Sequence, residues 1–220
     1  MPKSVRVFHK ESDLLKKYRE AYERAKYLSD IDSKLLSYNE VINFCADSKK
    51  CSKTDSLKRN QVLFWTYNQL GDLFLQKQND DFLDNHYVFA LQYFQNALSF
   101  SRSEAEEREV LQKIMSVYKS LDDEINYRKT YEALALVSDD AFRRQAFLSL
   151  ANSAPNLSQE AYYLEKALNY INKENLTLLE KCKDNLDICA RLLEIYRLLG
   201  YEKDEARIKK IKEQSAEILN

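Results

Sequence analysis

Glycine and proline are nearly absent from this chain: among 220 residues there are two of each. Average usage, ~7% glycine and ~5% proline, would give about 15 and 11. Glycine supplies the positive-φ corners of hairpins and the loops that enclose phosphates. With Gly71 and Gly200 alone, the sequence has no GxGxxG loop, no P-loop and no glycine-rich nucleophile elbow. A β-sandwich or barrel with many turns is equally disfavoured, so the scarcity predicts a helix-rich chain with few turns.

Composition and charge narrow the class of partner. Hydrophobic residues make up 45% of the chain and charged residues 31%, which is typical of a globular protein with a core. Lysine and arginine number 34 against 35 acidic residues, a net charge of -1. We therefore expect no nucleic-acid partner and no general attraction to a membrane surface.

Targeting signals are not evident in the sequence. No apolar run approaches the ~18 residues that a membrane-spanning helix needs. The N-terminal segment MPKSVRVFHKESD lacks the apolar stretch of a signal peptide. We expect a cytoplasmic protein with no membrane span, and export by a route without such a signal stays open.

The cysteines and histidines do not form a metal-binding motif. No two cysteines have CxxC spacing, so no local zinc site is predicted. Cys182 and Cys189 would lie about 10.5 Å apart on one helix face, too far for a disulfide. We expect buried free thiols. The four cysteines are Cys45, Cys51, Cys182 and Cys189.

Catalytic constellations are equally sparse. His86 with Asp84 nearby has the residue types of an oriented general base, but no nucleophile can be paired with it, and a surface histidine is favoured. Neither histidine follows a glutamate by three residues, as the ligands of a di-metal helical bundle would. We expect no enzymatic activity, no cofactor and no metal.

Amphipathic segments with the i, i+3, i+4, i+7 spacing of a helix face recur along the chain. The polar, basic stretch 49–59 is predicted as a solvated loop, with contact to an acidic partner as the alternative. Ten helices are predicted, at about 13–28, 33–47, 56–78, 86–100, 104–120, 123–137, 139–152, 159–172, 176–199 and 203–218.

Serine and acidic residues mark several helix starts, because their side chains can accept hydrogen bonds from the first free backbone N–H groups. Ser103 followed by Glu106 has the spacing of a capping box, and Gly200 is a typical C-terminal glycine for the ninth helix. The predicted caps are Ser12, Ser33, Ser103, Ser138 with Asp139 and Asp140, and Ser158.

Short polar links between these helices predict antiparallel pairs with a repeat. The caps Ser103 and Ser138 are 35 residues apart. Tyr93, Ala97 and Leu98 match Tyr163, Ala167 and Leu168 with an offset of twice 35. We expect a single domain, 1–220. Its five hairpins are predicted at approximately 13–48, 56–101, 103–137, 139–172 and 176–218.

The segment from Trp65 to Ala97 resembles a tetratricopeptide repeat (TPR). That family has an aromatic, Leu-Gly and an aromatic in the first helix of a repeat, then Ala-x3-aromatic-x2-Ala in the second. The link between the two helices is about seven residues longer here, and 192–206 carries a second, weaker match. The matching residues are Tyr67, Leu70, Gly71, Phe74, Ala90, Phe94 and Ala97.

The resemblance implies an all-α fold, a right-handed α-α superhelix whose concave face is lined by the first helix of each pair. It implies that this face holds an extended peptide or a helix of a partner protein. Asp72 argues against a uniformly basic clamp for a chaperone tail. Counting from the Leu-Gly anchor, the implied partner-binding residues are Asn68, Asp72, Leu75, Gln112, Ser116, Lys119, Arg143, Glu194 and Arg197.

The leading interpretation is a non-catalytic scaffold or adaptor that binds a protein or peptide. A client-specific regulator or secretion chaperone with the same helices is the alternative, and an enzyme is disfavoured. Self-assembly through an exposed terminal hairpin is a third class. The charged last helix, with Lys203 and Arg207 among its residues, weakens it, and we expect a monomer or a weak homo-oligomer.

Overall fold

The computed structural model describes residues 13–47, 53–76, 83–171, 173 and 176–219. Within these ranges the chain is all-α, as predicted, with 89% of the described residues in helices and no strand. Consecutive helices pack against one another within each of two compact units, 1–123 and 124–220. The helices are α1 (Asp13–Tyr27), α2 (Ile31–Asp47), α3 (Lys53–Gln76), α4 (Leu83–Phe100), α5 (Glu104–Ser120), α6 (Glu124–Leu136), α7 (Asp140–Asn152), α8 (Leu157–Ile171), α9 (Leu178–Leu199) and α10 (Glu202–Leu219).

The first unit contains α1 to α5. Helix α3 is its centre, because it packs against α1, α2 and α4, and α4 in turn packs against α5. Tyr18 of α1 meets Trp65 of α3, with ring centroids 5.4 Å apart. Apolar side chains from every helix are buried in this unit, among them Ala21, Val41, Leu70, Phe94 and Val110.

The second unit contains α6 to α10, packed in chain order: α6 against α7, α7 against α8, α8 against α9 and α9 against α10. Its buried side chains form one cluster that includes Phe147, Leu164, Leu192 and Ile208. The predicted hairpin 103–137 includes residues of both units, so its pairing stays a prediction, as does the assignment of the chain to a single domain.

Gly71 marks a close approach of α3 and α4, as the sequence predicted. A Cβ atom built on Gly71 would lie within 2.8 Å of ring carbons of Phe94, closer than nonbonded carbons approach. Ala90 and Ala97 on α4 are fully buried as well. Small residues on both helices therefore leave the space that the Phe94 ring fills.

Two predicted helix ends are confirmed. The Glu106 N–H donates to the Ser103 hydroxyl at 3.2 Å, so Ser103 caps α5; the Glu106 carboxylate accepts from the Arg102 N–H at 2.7 Å instead of closing the capping box on Ser103. Gly200 ends α9 in the left-handed conformation, with φ 72°, which glycine adopts without a steric penalty.

The other cap predictions are confirmed in part or corrected. Of the predicted group Ser138, Asp139 and Asp140, Asp139 caps α7, whereas the Ser138 hydroxyl donates to the Leu134 carbonyl and belongs to the end of α6. Asn156 rather than Ser158 accepts from the N–H of Gln159 at the start of α8. Ser33 lies inside α2, and its N–H donates to the carboxylate of Asp30 at 2.8 Å. The predicted cap Ser12 lies outside the described residues.

Helix α3 begins within the basic segment 49–59, at Lys53. Lys58 and Arg59 are therefore helical, and the loop prediction is wrong for them. Lys49 and Lys50 lie outside the described residues. A helix of 24 residues starts here because no glycine or proline interrupts the segment.

The cysteines that the structure describes, Cys45, Cys182 and Cys189, are buried and form no disulfide with one another, as predicted. Burial raises the pKa of the Cys189 thiol to about 11, since the thiolate would lose its hydration. Cys51 lies outside the described residues.

Candidate partner-binding groove

Two of the predicted binding residues, Asn68 and Asp72, join α3 to α5. The Asn68 amide donates to Glu109 Oε1 at 2.8 Å. The Lys113 ammonium donates to Asn68 Oδ1 and to Asp72 Oδ2, both at 2.8 Å. Asn68 is 5% exposed, so its amide is committed to this network, which fixes the two helices against each other.

Lys113 is the residue of this network that the sequence did not reveal. Its ammonium lies 5.6 Å from the centroid of the buried Phe94 ring, a cation–π distance. Counting from the Leu-Gly anchor placed Gln112 on the inner face, one residue earlier. Leu75, also predicted, is partly buried against the same core cluster.

The other predicted residues of α5 lie on its surface. Gln112, Ser116 and Lys119 are exposed and share one helix side, because positions i, i+4 and i+7 align. They are accessible to a partner, and their role in binding stays a prediction.

Arg143, predicted on the inner face of α7, instead holds the end of α6. Its guanidinium donates to the carbonyls of Ala135, Leu136 and Ser138 at 2.7 to 3.0 Å and to Asp140 at 2.6 Å. It also lies 4.9 Å from the centroid of the Tyr170 ring. These bonds satisfy carbonyls that the helix terminus leaves free, and they occupy the guanidinium.

Glu194 and Arg197 lie on the exposed side of α9. Glu194 accepts from Arg191 at 2.7 Å. Arg197, 73% exposed, contacts Glu205 of α10 at 3.2 Å. Both are reachable by a partner, and their predicted role is untested.

A groove between α7 and α9 adds residues that the sequence did not single out. Its volume is about 320 Å³. One wall comes from α7, the other from α9, and the floor from α8. Spacings of i, i+4, i+8 on α7 and of i, i+3, i+4, i+7 on α9 bring these side chains to facing stripes. The lining residues are Arg144, Leu148, Asn152, Glu160, Leu164, Asp184, Asp187, Ile188 and Arg191.

Charge pairs cross this groove. Arg144 donates to Asp184 at 2.8 Å, which links α7 to α9. Arg191 donates to both oxygens of Glu160, at 2.6 and 2.9 Å, a bidentate pair with defined orientation. These hydrogen bonds raise the pKa of Arg191, so its positive charge is fixed at any physiological pH.

Apolar side chains lie between the charges. Leu148 is partly buried, and Leu164 and Ile188 are buried in the core beneath the groove. Asn152 and Asp187 are exposed. The groove thus combines an apolar base with polar groups in fixed positions, which is the chemistry of sites that recognise a ligand with defined orientation.

The sequence contains a signal for this groove. Counting from the Leu-Gly anchor selected Arg143, however, which is one residue before Arg144. Arg143 and Arg144 are adjacent, and one residue on a helix is a turn of ~100°. The first points to the end of α6 and the second to α9. The apolar and charged stripe of α7 would have identified Arg144, but its partner Asp184 is 40 residues away.

The described residues contain neither a metal-binding cluster nor a membrane-spanning helix. Within them, no three histidine, cysteine or acidic side chains are grouped so as to hold a metal ion. The described helices include none with the length and apolarity to cross a bilayer. The expectation that the chain uses no cofactor stays a prediction.

No known protein-family model and no curated protein matches the sequence. Among solved structures, the chain is similar to one described as "Computational Design of Self-Assembling Cyclic Protein Homooligomers". The two share 14% sequence identity, the alignment covers 93% of this chain and 90% of the other, and the TM-score is 0.25. A likeness at that level carries no argument about function, which must be inferred from the residues of this chain.

Proposed function

We propose that this protein is a non-catalytic interaction module that binds a peptide or helix of a partner protein. The groove between α7 and α9 is the observation that carries the proposal. It presents buried leucine and isoleucine beside charged groups whose positions are fixed by ion pairs. An amphipathic segment is the occupant that such a surface fits, since its apolar face and its charges would both be matched.

The finer architecture belongs to the same proposal: a TPR-like array of about five helix pairs with a right-handed superhelical path. Contacts between consecutive helices support it. So do the bonds between alternate helices, α3 to α5 through Lys113 and α7 to α9 through Arg144. The Gly71–Phe94 contact is the one that the TPR signature residues of a hairpin would make.

The alternative within the same class is a regulator or secretion chaperone that holds one client. It uses the same groove and differs in the number of partners. A selection that yields one peptide family with high affinity favours this alternative, whereas several unrelated families favour a scaffold or adaptor.

Selection from a displayed peptide library on the purified full chain tests the proposal. The selected peptides are then measured by fluorescence anisotropy against Asn152→Arg and Asp187→Arg. Both substitutions put a bulky cation into the groove at exposed positions, where the fold tolerates them. We expect each to weaken binding at least about tenfold, the effect of one lost interaction of ~1.4 kcal/mol.

Gln145→Arg provides the matched control. Gln145 is exposed on α7 and lies outside the groove lining, so Gln145→Arg adds the same charge as Asn152→Arg without entering the site. Equal affinity of the wild type and the groove variants would reject the groove. A second pair, Lys119→Glu and Arg197→Glu, tests the surface positions predicted from the sequence.

A further inference from the structure

A second pocket lies among α8, α9 and α10, on a side of the second unit that the proposed function does not use. Its volume is about 310 Å³, at the lower limit of ~300–1,000 Å³ for small-molecule sites. This equals about ten water volumes of ~30 Å³, the size of a ligand with about a dozen non-hydrogen atoms. Leu168, Ile211 and Ile218 supply apolar walls.

Asn185 makes this pocket more than a surface depression. It lines the pocket, is 9% exposed, and its Oδ1 accepts no hydrogen bond from the described residues. A buried carbonyl oxygen without a donor is costly. The terminal torsion of asparagine is soft, so the amide can turn to present this oxygen to a ligand that brings a hydroxyl or N–H group.

Two basic side chains of the pocket lining can donate hydrogen bonds to an anion. The lining includes Lys181 and Arg207 and no carboxylate. Glu165 and Asp204, outside the lining, both contact Arg207 through Nη2. A guanidinium has five donors, and its Nε and Nη1 atoms remain for a carboxylate at the pocket mouth.

We propose that this pocket binds a small amphipathic hydroxy acid, with its alkyl chain against the apolar walls. The hydroxyl donates to Asn185 Oδ1, and the carboxylate accepts from Arg207 and Lys181. Each ligand feature matches one feature of the lining. The alkyl chain matches the apolar side chains, the hydroxyl matches the unpaired acceptor, and the carboxylate matches the pair of cations. The site is distinct from the α7–α9 groove, so either one can fail without the other.

Titration calorimetry on the full chain with three ligands tests the proposal, at concentrations below micelle formation. 3-Hydroxydecanoate carries all three features, decanoate lacks the hydroxyl and 1,3-decanediol lacks the charge. We expect saturable 1:1 binding of 3-hydroxydecanoate, and binding of each comparison ligand about tenfold weaker. Absence of saturable binding by 3-hydroxydecanoate, or equal binding of all three, overturns the proposal.

Two variants locate the site. Asn185→Leu keeps the branched shape of the side chain but removes the acceptor, so the preference for 3-hydroxydecanoate over decanoate should fall from about tenfold to about onefold. Ile218→Glu changes an exposed pocket residue and places a carboxylate beside the ligand, so both acids should bind at least about tenfold more weakly.

Asn152→Arg, in the α7–α9 groove, is the control and should leave all three affinities unchanged. If Asn185→Leu retains the tenfold preference, or if Ile218→Glu binds both acids as tightly as the wild type, the ligand lies elsewhere and the proposal is wrong. Ile218→Glu decides the question by itself should Asn185→Leu fail to fold, because its exposed position leaves the core intact.

Discussion

Gly71 and Phe94 illustrate how a single absent side chain sets the distance between two helices. Glycine inside a helix costs about 1 kcal/mol relative to alanine, and Gly71 lies well within α3. The space that it leaves is filled by the ring of Phe94, which is fully buried. The burial of that aromatic ring offsets the conformational cost of the glycine.

Gly71→Ala should therefore destabilise the protein although alanine is the better helix former. The new methyl group would overlap ring carbons of Phe94, and overpacking of this kind costs about 1–3 kcal/mol. After subtraction of the gain in helix propensity, we expect a net loss of up to about 2 kcal/mol in the free energy of unfolding, measured by urea unfolding followed by circular dichroism.

A smaller residue at position 94 should relieve the overlap. In the Phe94→Leu background, alanine at position 71 should cost less than it does in the wild type, giving a coupling energy in the double-mutant cycle. An unchanged or increased stability of Gly71→Ala alone would mean that α3 and α4 can separate at little cost.

The role of a single residue could be predicted from the sequence where a rule of local chemistry has few exceptions. The packing role of Gly71 followed from the cost of glycine in a helix, and the buried thiols followed from the absence of any metal motif. Lys113 was not predictable in this way, because a lysine in an amphipathic helix is usually exposed. Its contacts with Asn68 and Asp72 depend on how α3 and α5 pack.

Helix ends depend on competition among neighbouring side chains. Ser138 and Asp139 are adjacent candidates for the cap of α7, and the aspartate takes the role because the serine hydroxyl already bonds within α6. At α9, Thr177 and Glu180 form a complete capping box, which sequence inspection had not singled out. Local rules thus place a helix start to within a few residues, and the hydrogen bonds decide which residue caps it.

Arg143 connects two helices through a planar group that lysine cannot imitate. Arg143→Lys should lose the bonds from the guanidinium to the α6 carbonyls. These bonds are partly buried or exposed, so water can replace some of them, and we expect a loss of about 1 kcal/mol in the free energy of unfolding, measured by urea denaturation.

Arg143 and Arg144 are neighbours with different expected roles, one in stability and one in peptide binding. Arg143→Lys should leave the affinity for the peptide unchanged, because Arg143 does not line the groove. Arg144→Lys should weaken that affinity by removing the positioned guanidinium. If Arg143→Lys is as stable as the wild type, the bonds from Arg143 to the α6 carbonyls contribute little. If Arg143→Lys binds the peptide more weakly, Arg143 belongs to the partner-binding surface.

The stability of the whole molecule should decline at alkaline pH. Burial raises the pKa of Cys189 from 9.0 to about 11 and that of Tyr38 from 10.0 to about 12. A raised pKa means that the folded state holds these protons more tightly than the unfolded state. The corresponding stabilisation is complete below pH 9 and is lost as the pH rises from 9 through 12.

Urea unfolding at pH about 8 and about 10.5 should measure this loss. A shift of two units in the Cys189 pKa corresponds to at most about 3 kcal/mol. Cys189→Ala should reduce the loss between pH 9 and about 11, leaving the Tyr38 contribution between pH 10 and about 12. The same pH dependence in the wild type and in Cys189→Ala would exclude the thiol as a cause.

The sequence predicted the all-α class and the approximate position of every helix, because hydrophobic periodicity is a local property. It did not predict the α7–α9 groove or the pocket that contains Asn185. Each is built from three helices, and a rotation of any helix by one residue, ~100°, changes which side chains face the cavity. A charge pair such as Arg144–Asp184 depends on how the helices are rotated, and it forms only when they have packed.

The Phe94 ring has a kinetic consequence. Gly71 lies against its edge and the ring is fully buried, so we expect close packing to oppose a half-turn of the ring about its own axis. We expect such a turn to need a brief separation of α3 and α4. The two edges of the ring exchange their magnetic resonance signals each time the ring turns. The rate of this exchange should therefore report how often the α3–α4 pair opens transiently.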